Sequence, residues 1–175
     1  MAATQAIVDA LVQRLKAAFP DMAVEDFPDK PDEYRLNHPK GALLVSYLGA
    51  KYEAPLDAGL VVQDATPKFS ATATLRRLNG PDGAVAILAR MRQALQGFKP
   101  PGCQRKVWLL AERFLGENAG IWQYALDFAT QAVAVEDAEG DTGPLLTHLT
   151  AVDSFSRNEV QKLPDGSILR EEFPV

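Results

Sequence analysis

Ile7, Val8, Leu11, Val12, Leu15 and Phe19 recur at intervals of three and four, which places them on one face of a helix over about Thr4–Ala18. Gln13, Arg14 and Lys16 fall on the other face, the two cations toward the negative C-terminal end, and Pro20 prevents continuation. A short strand is expected at about Met22–Phe27. Residues 28–40, PDKPDEYRLNHPK, combine three prolines with alternating charges and read as a surface excursion. The next run, ALLVSYLG over 42–49, is apolar on both parities: Leu43, Val45 and Tyr47 on one, Leu44 and Leu48 on the other. Such a strand lies inside a sheet or at a subunit interface.

Residues 50–65 read as a loop with a short extended piece at Leu60–Gln63. From Lys68 to Leu78 the pattern alternates, with Phe69, Ala71, Ala73 and Leu75 on one side and Ser70, Thr72, Thr74 and Arg76 on the other. This predicts a half-exposed antiparallel strand. Asn79-Gly80-Pro81-Asp82 ends it and opens a second helix over about 81–96, with Ala84, Ile87, Leu88, Met91 and Leu95 as its apolar stripe and Gly97 as its stop. Two strands follow, about Lys106–Leu115 and Ile121–Glu136, joined by a GENAG hairpin turn. Trp122, Tyr124, Leu126 and Phe128 share one parity, so one sheet face carries a row of large side chains that needs a cover.

Most connections are too short for parallel crossovers. The order predicts an α+β fold: an antiparallel β-sheet of about four to five strands, with both helices on one face over Trp122, Tyr124, Leu126 and Phe128. Residues 1–136 form this domain. After Glu136, EDAEGDTGP is acidic and glycine-rich and reads as a linker. Residues 137–175 form a C-terminal extension with a hairpin expected around Leu163–Ser167, too short for its own core.

Composition narrows the function classes. The 175 residues are 47% hydrophobic and suit one domain with an appendage. A net charge of −5 argues against a general nucleic-acid binder, which needs a basic face. Cys103 is the only cysteine, so no intrachain disulfide can form and a reducing compartment is expected. Neither a signal peptide nor an apolar run of about 18 residues is visible, so the chain is expected in the cytoplasm, away from membranes.

Candidate chemistry is sparse. His38 sits in the proline-rich excursion and His148 in the C-terminal extension, and no HxH, HxxxH or CxxC spacing occurs. Cys103 has Arg105 and Lys106 nearby in sequence but no histidine to act as its base. Glu136, Asp137, Glu139 and Asp141 lack the alternation and closing glutamate of a calcium loop. NGPDGA is neither a P-loop nor a dinucleotide fingerprint, and Pro81 removes an amide donor. The expectation is no catalytic residue, no metal and no cofactor. The row Ser70–Thr74 beside Arg76 and Arg77 is either a solvated face or a subunit contact. Apolar and aromatic groups not used by the core lie at Tyr47, Leu48, Tyr52, Leu56, Leu60 and Val61. With Arg76 and Arg77 these are the residue types that interface cores select. The expected oligomer interface is therefore Tyr47, Tyr52, Leu56, Leu60, Arg76 and Arg77.

Four segments in order resemble the Mu-like phage and prophage tail terminator family. They are the opening helix ending in FPD, the block NHPKGALLVSYLGAKYEAP, the run TATLRRLNGPDGAVAILARMRQAL with its GFKPPG turn, and the strand GIWQYALDFATQAVAVE. Members of that family are similar in fold to the lambda minor tail protein U. The resemblance implies a homo-oligomer, expected as a hexameric ring, that caps the tail tube, stops its polymerisation and presents the surface for head–tail joining. It implies partners in the tail tube protein and a head–tail connector or neck protein, with DNA passing through the lumen without specific binding. The host bacterial cytoplasm during assembly, and then the virion tail, are the implied locations. The competing expectations are another neck or contractile-injection tube-capping component, and a small ligand-binding or hydrolytic α+β domain using the 28–40 and 50–65 loops. The latter loops offer acids and one histidine but no nucleophile–base pair.

Overall fold

The computed structural model describes residues 4–30, 34–55 and 61–136. Its elements are α1 (Thr4–Ala18), β1 (Ala23–Asp26), β2 (Gly41–Tyr52), β3 (Val62–Leu75), α2 (Ala84–Leu95), β4 (Trp108–Asn118), β5 (Ile121–Ala129) and β6 (Ala132–Val135). The strands build one sheet in the order β1-β2-β3-β5-β4, with β6 pairing the first part of β3. The fold is α+β, and the sheet is mostly antiparallel.

Both helices cover the same sheet face. Ile7, Leu11 and Leu15 of α1 and Ile87, Met91 and Leu95 of α2 join one core with Leu43, Val45, Phe69, Ala71, Ala73, Leu75, Leu126 and Phe128. The register explains the shared face. Val45 is opposite Ala71 and Ala71 opposite Leu126, while Phe69 is opposite Phe128, so residues of one parity line up across three strands.

Four expectations are corrected. First, β1 runs parallel to β2. The excursion from Phe27 to Lys40 exceeds the roughly dozen residues that a parallel crossover requires. Second, Val62 and Gln63 of the piece expected at Leu60–Gln63 already belong to β3, while Leu60 lies outside the described residues. Third, the strand expected over Ile121–Glu136 is two strands, which brings the sheet to six. It breaks at Thr130, whose buried Oγ1 donates to the Arg105 carbonyl at 2.7 Å, and β6 then pairs lower on β3. Fourth, β3 is not half-exposed: Ser70, Thr72 and Thr74 are buried. They sit on the central strand, flanked by β2 and β5.

The aromatic row is covered unevenly. Leu126 and Phe128 are fully buried, whereas Trp122 and Tyr124 are half-buried. Trp122 and Tyr124 lie toward the β4–β5 hairpin and pack on Phe114, at centroid distances of 6.1 and 5.1 Å. The hairpin expected at Leu163–Ser167 lies outside the described residues.

Candidate functional site

The expected interface residues divide between two ends of the sheet. Tyr47 lies on the helix-bearing face, opposite Phe69 and 5.6 Å from its ring. A β-bulge then shifts the register at Leu48, and Tyr52 pairs with Ala65. Tyr47, Leu48, Tyr52 and Val61 are all exposed, between 43% and 53%. Nearby acceptors are acidic: Glu53 pairs with Lys51, and Glu136 accepts from the Val61 amide at 3.0 Å. Burial, with Tyr52 nearby, pushes the Tyr47 phenol up. Leu56 and Leu60 lie outside the described residues.

Arg76 and Arg77 follow the far end of β3. Tyr52 is opposite Ala65, and Leu75 closes the strand, a span on the order of 30 Å at strand spacing. The structure therefore does not bring the tyrosines and arginines together. Arg76 is also held in place. Its guanidinium donates to the carbonyls of Leu36 at 3.0 Å and His38 at 3.3 Å, tying the excursion to the sheet end. Arg77 is exposed, and its carbonyl accepts from the Ala84 amide at the start of α2.

Lys40 performs a similar local task. It pairs with Asp21 and reaches Asp82 at 3.8 Å, linking the turn after α1 to the approach to α2. His38 Nδ1 accepts from the Lys40 amide at 3.3 Å. Cys103 is buried, and that burial pushes its thiol up, against the opposing influence of Thr130 and Lys99. A thiol so placed is a poor nucleophile. Among the described residues, no group of three or more His, Cys, Asp or Glu converges to hold a metal ion. His148 and the acids Asp137, Glu139 and Asp141 lie outside them. No helix among the described residues is long and apolar enough to cross a membrane.

Two features escaped the sequence reading. One is a polar chain across the face opposite the helices. Ser70 Oγ donates to Asp127 at 2.8 Å, Arg113 donates to the other Asp127 oxygen at 3.0 Å, and Ser46 Oγ reaches the Ser70 carbonyl at 3.4 Å. The chain links β2, β3, β5 and β4 and satisfies a mostly buried carboxylate. The second is the outer strand β4. Leu110, Phe114 and Leu115 are each about half exposed there, although the pattern predicted an ordinary sheet strand. Leu110 and Leu115 sit at bulges, while Phe114 packs on Trp122 and Tyr124 with its outer side uncovered, and no local residue type announces either.

Beside β1, at the opposite edge, an open groove of about 450 Å³ is lined by Asp9, Val12, Gln13 and Lys16 of α1 with Glu25 and Asp26. A second hollow of about 300 Å³ on the other side of β1 is lined by Ala23, Glu25, Tyr34, Arg35, Asn37 and His38. Burial there, with Glu25 close by, pushes the Tyr34 phenol up.

No curated protein matches the chain. A solved structure, a chain in the virion of a native gene transfer agent (GTA) particle, is similar in fold. The TM-score is 0.52 at 20% identity, covering 76% of this chain and 98% of that chain. The family model described as Gp37 protein matches residues 11–153, most of the length and all of the described fold after the first turns of α1. The chain therefore belongs to the Gp37 protein family.

Proposed function

We propose that this protein is a non-enzymatic virion structural protein that terminates tail assembly. Copies close into a ring, expected to be hexameric, that caps the tail tube, halts its polymerisation and presents the surface for head–tail joining. The observation that carries this reading is the likeness of fold to a chain of a GTA virion, which extends over nearly all of that chain. The segments resembling the Mu-like tail terminators add the specific role, and a rigid six-stranded sheet suits a ring subunit.

In this reading Tyr47, Tyr52, Leu56 and Leu60 belong to one assembly contact and Arg76 and Arg77 to another. The distance between the two described pairs makes them separate surfaces. Arg77 is the better anchor of its pair, because Arg76 is engaged with Leu36 and His38. The partners are further copies, the tail tube protein and a neck or connector protein. DNA passes through the lumen unbound. Assembly takes place in the bacterial cytoplasm, and the product resides in the virion tail.

The test is to assemble tails with and without the protein and measure their length by electron microscopy. Tails of uniform length with the protein at one end are expected, and overlong tails in its absence. Normal tails without it, or its presence only elsewhere in the neck, would contradict the terminator role.

A further inference from the structure

Among the described residues the strand order ends at β1 and β4, with β6 lying off that path against β3. A free strand edge is a template for another chain. The two edges differ in shape and charge. The β1 edge is a short strand beside the groove of Asp9, Val12, Gln13, Lys16, Glu25 and Asp26. The β4 edge carries Phe114, 55% exposed, and the partly exposed guanidinium of Arg113, which pairs with Asp127 of the same chain at 2.8 Å.

Resting on the ring reading above, we propose that β4 of one copy pairs with β1 of the next, with Phe114 entering the groove between α1 and β1 and Arg113 facing Glu25. Three observations support this occupant. Within one sheet β1 and β4 run in opposite directions: β1 is parallel to β2, and three antiparallel pairings separate β2 from β4. A rotation about an axis along the strands keeps those directions, so the two edges meet antiparallel with the helices of all copies on the same side.

The lengths also match. The bulges at Leu110 and Leu115 leave Ala111–Phe114 as the regular part of β4, against Ala23–Asp26 in β1. Faces match as well. Phe114 is opposite Tyr124 on the helix-bearing side, and Val24 is opposite Leu43 on that same side. Arg113 and Glu25 are opposite Ala125 and Leu44, on the other side. Placing Phe114 beside Val24 puts Arg113 beside Glu25 and Glu112 beside Asp26. The Glu112 charge is already paired with Arg92, so that guanidinium also approaches Asp26. The opposite charges of Arg113 and Glu25 favour the pairing, and the like charges of Glu112 and Asp26 oppose it to the extent that Arg92 does not offset them. The contact joins unlike surfaces, so it does not stop at a dimer, and it closes into a ring when its rotation divides a full turn.

The test is cysteine cross-linking in the full chain, with three variants: Glu25→Cys, Arg113→Cys and the two together. Under mild oxidation the double variant is expected to give a ladder of covalent oligomers ending at one closed species. Each single variant should stay uncross-linked, because Glu25 meets Arg113 and not itself. The reduced double variant should fold with a lowered melting temperature, because Arg113 no longer pairs with Asp127. Retained folding with lost assembly would also support the contact, since the proposed contact loses both its charges. Covalent dimers from either single variant would overturn the proposal, as would cross-linking of the double variant to another virion component alone. A double variant that assembles normally without cross-linking would overturn this edge contact and leave the ring intact. A wild-type chain that never assembles would overturn the ring itself.

Discussion

The Arg90 guanidinium lies 4.4 Å from the centre of the Phe19 ring and donates to the Ala18 carbonyl at 2.8 Å. Arg14 repeats the arrangement in reverse: it donates to the Ala94 carbonyl at 2.9 Å and lies 5.5 Å from the Phe98 ring. Each helix thus sends an arginine to the C-terminal carbonyls of the other, where a cation is favoured and carbonyls lack helical partners. Arg90→Ala should lower stability by about 1–2 kcal/mol through the lost cation–π contact and carbonyl bond. Arg90→Lys should recover part of it. Denaturant unfolding with an unchanged m-value checks this.

Uneven cover over the aromatic row should show in mutation. Phe128→Ala should cost about 3–5 kcal/mol, as for a fully buried ring. Trp122→Ala, in the same row, should cost well under that, because the indole is half-buried against Phe114. Equal costs in chemical unfolding would contradict the packing described.

Gly83 precedes α2 in a confined position. A Cβ there would lie 2.4 Å from the Asn79 carbonyl carbon and 2.7 Å from the Leu78 oxygen, both backbone atoms. Gly83→Ala should therefore destabilise by about 1–3 kcal/mol through overpacking, despite alanine's better helix propensity. A thermal melt at or above the wild-type value would contradict this.

Lys40 and Asp21 set a weak pH dependence. The Lys40 hydrogen bond holds the Asp21 carboxyl below its ordinary value, and Asp21 raises the Lys40 ammonium above its own. The Asp21 contribution is present above its unfolded value and fades as pH falls through the lowered folded value. The Lys40 contribution is present below its unfolded value and fades as pH rises through the raised folded one. Lys40→Met should flatten the loss of stability at both extremes relative to wild type. The effect should be small, since both side chains are exposed.

Local periodicity carried much of the fold. The α1 stripe and Pro20 place the helix at Thr4–Ala18, and a hairpin follows from GENAG, where Ala119 and Gly120 both adopt positive φ. Long-range contacts were less legible. The alternation falters at Thr130-Gln131 and gives way to four apolar residues, but nothing local says that Thr130 bonds to Arg105 or that β6 then pairs lower on β3. Alternation along β3 separates Ser70 and Thr72 from Phe69 but cannot say that both sides are buried. The aromatic and arginine types suggested contact surfaces. Only the strand register shows that Tyr52 and Arg77 lie at opposite ends and that β4, not β3, leaves its apolar side chains exposed.

The most direct measurement is the native mass of the purified full chain, alone and after mixing with tail tubes. A ring-forming terminator should give one discrete species, expected at six times the 19.0 kDa chain, or convert to it on the tubes. A protein that stays monomeric at high concentration and remains unbound in the presence of tubes would contradict the account.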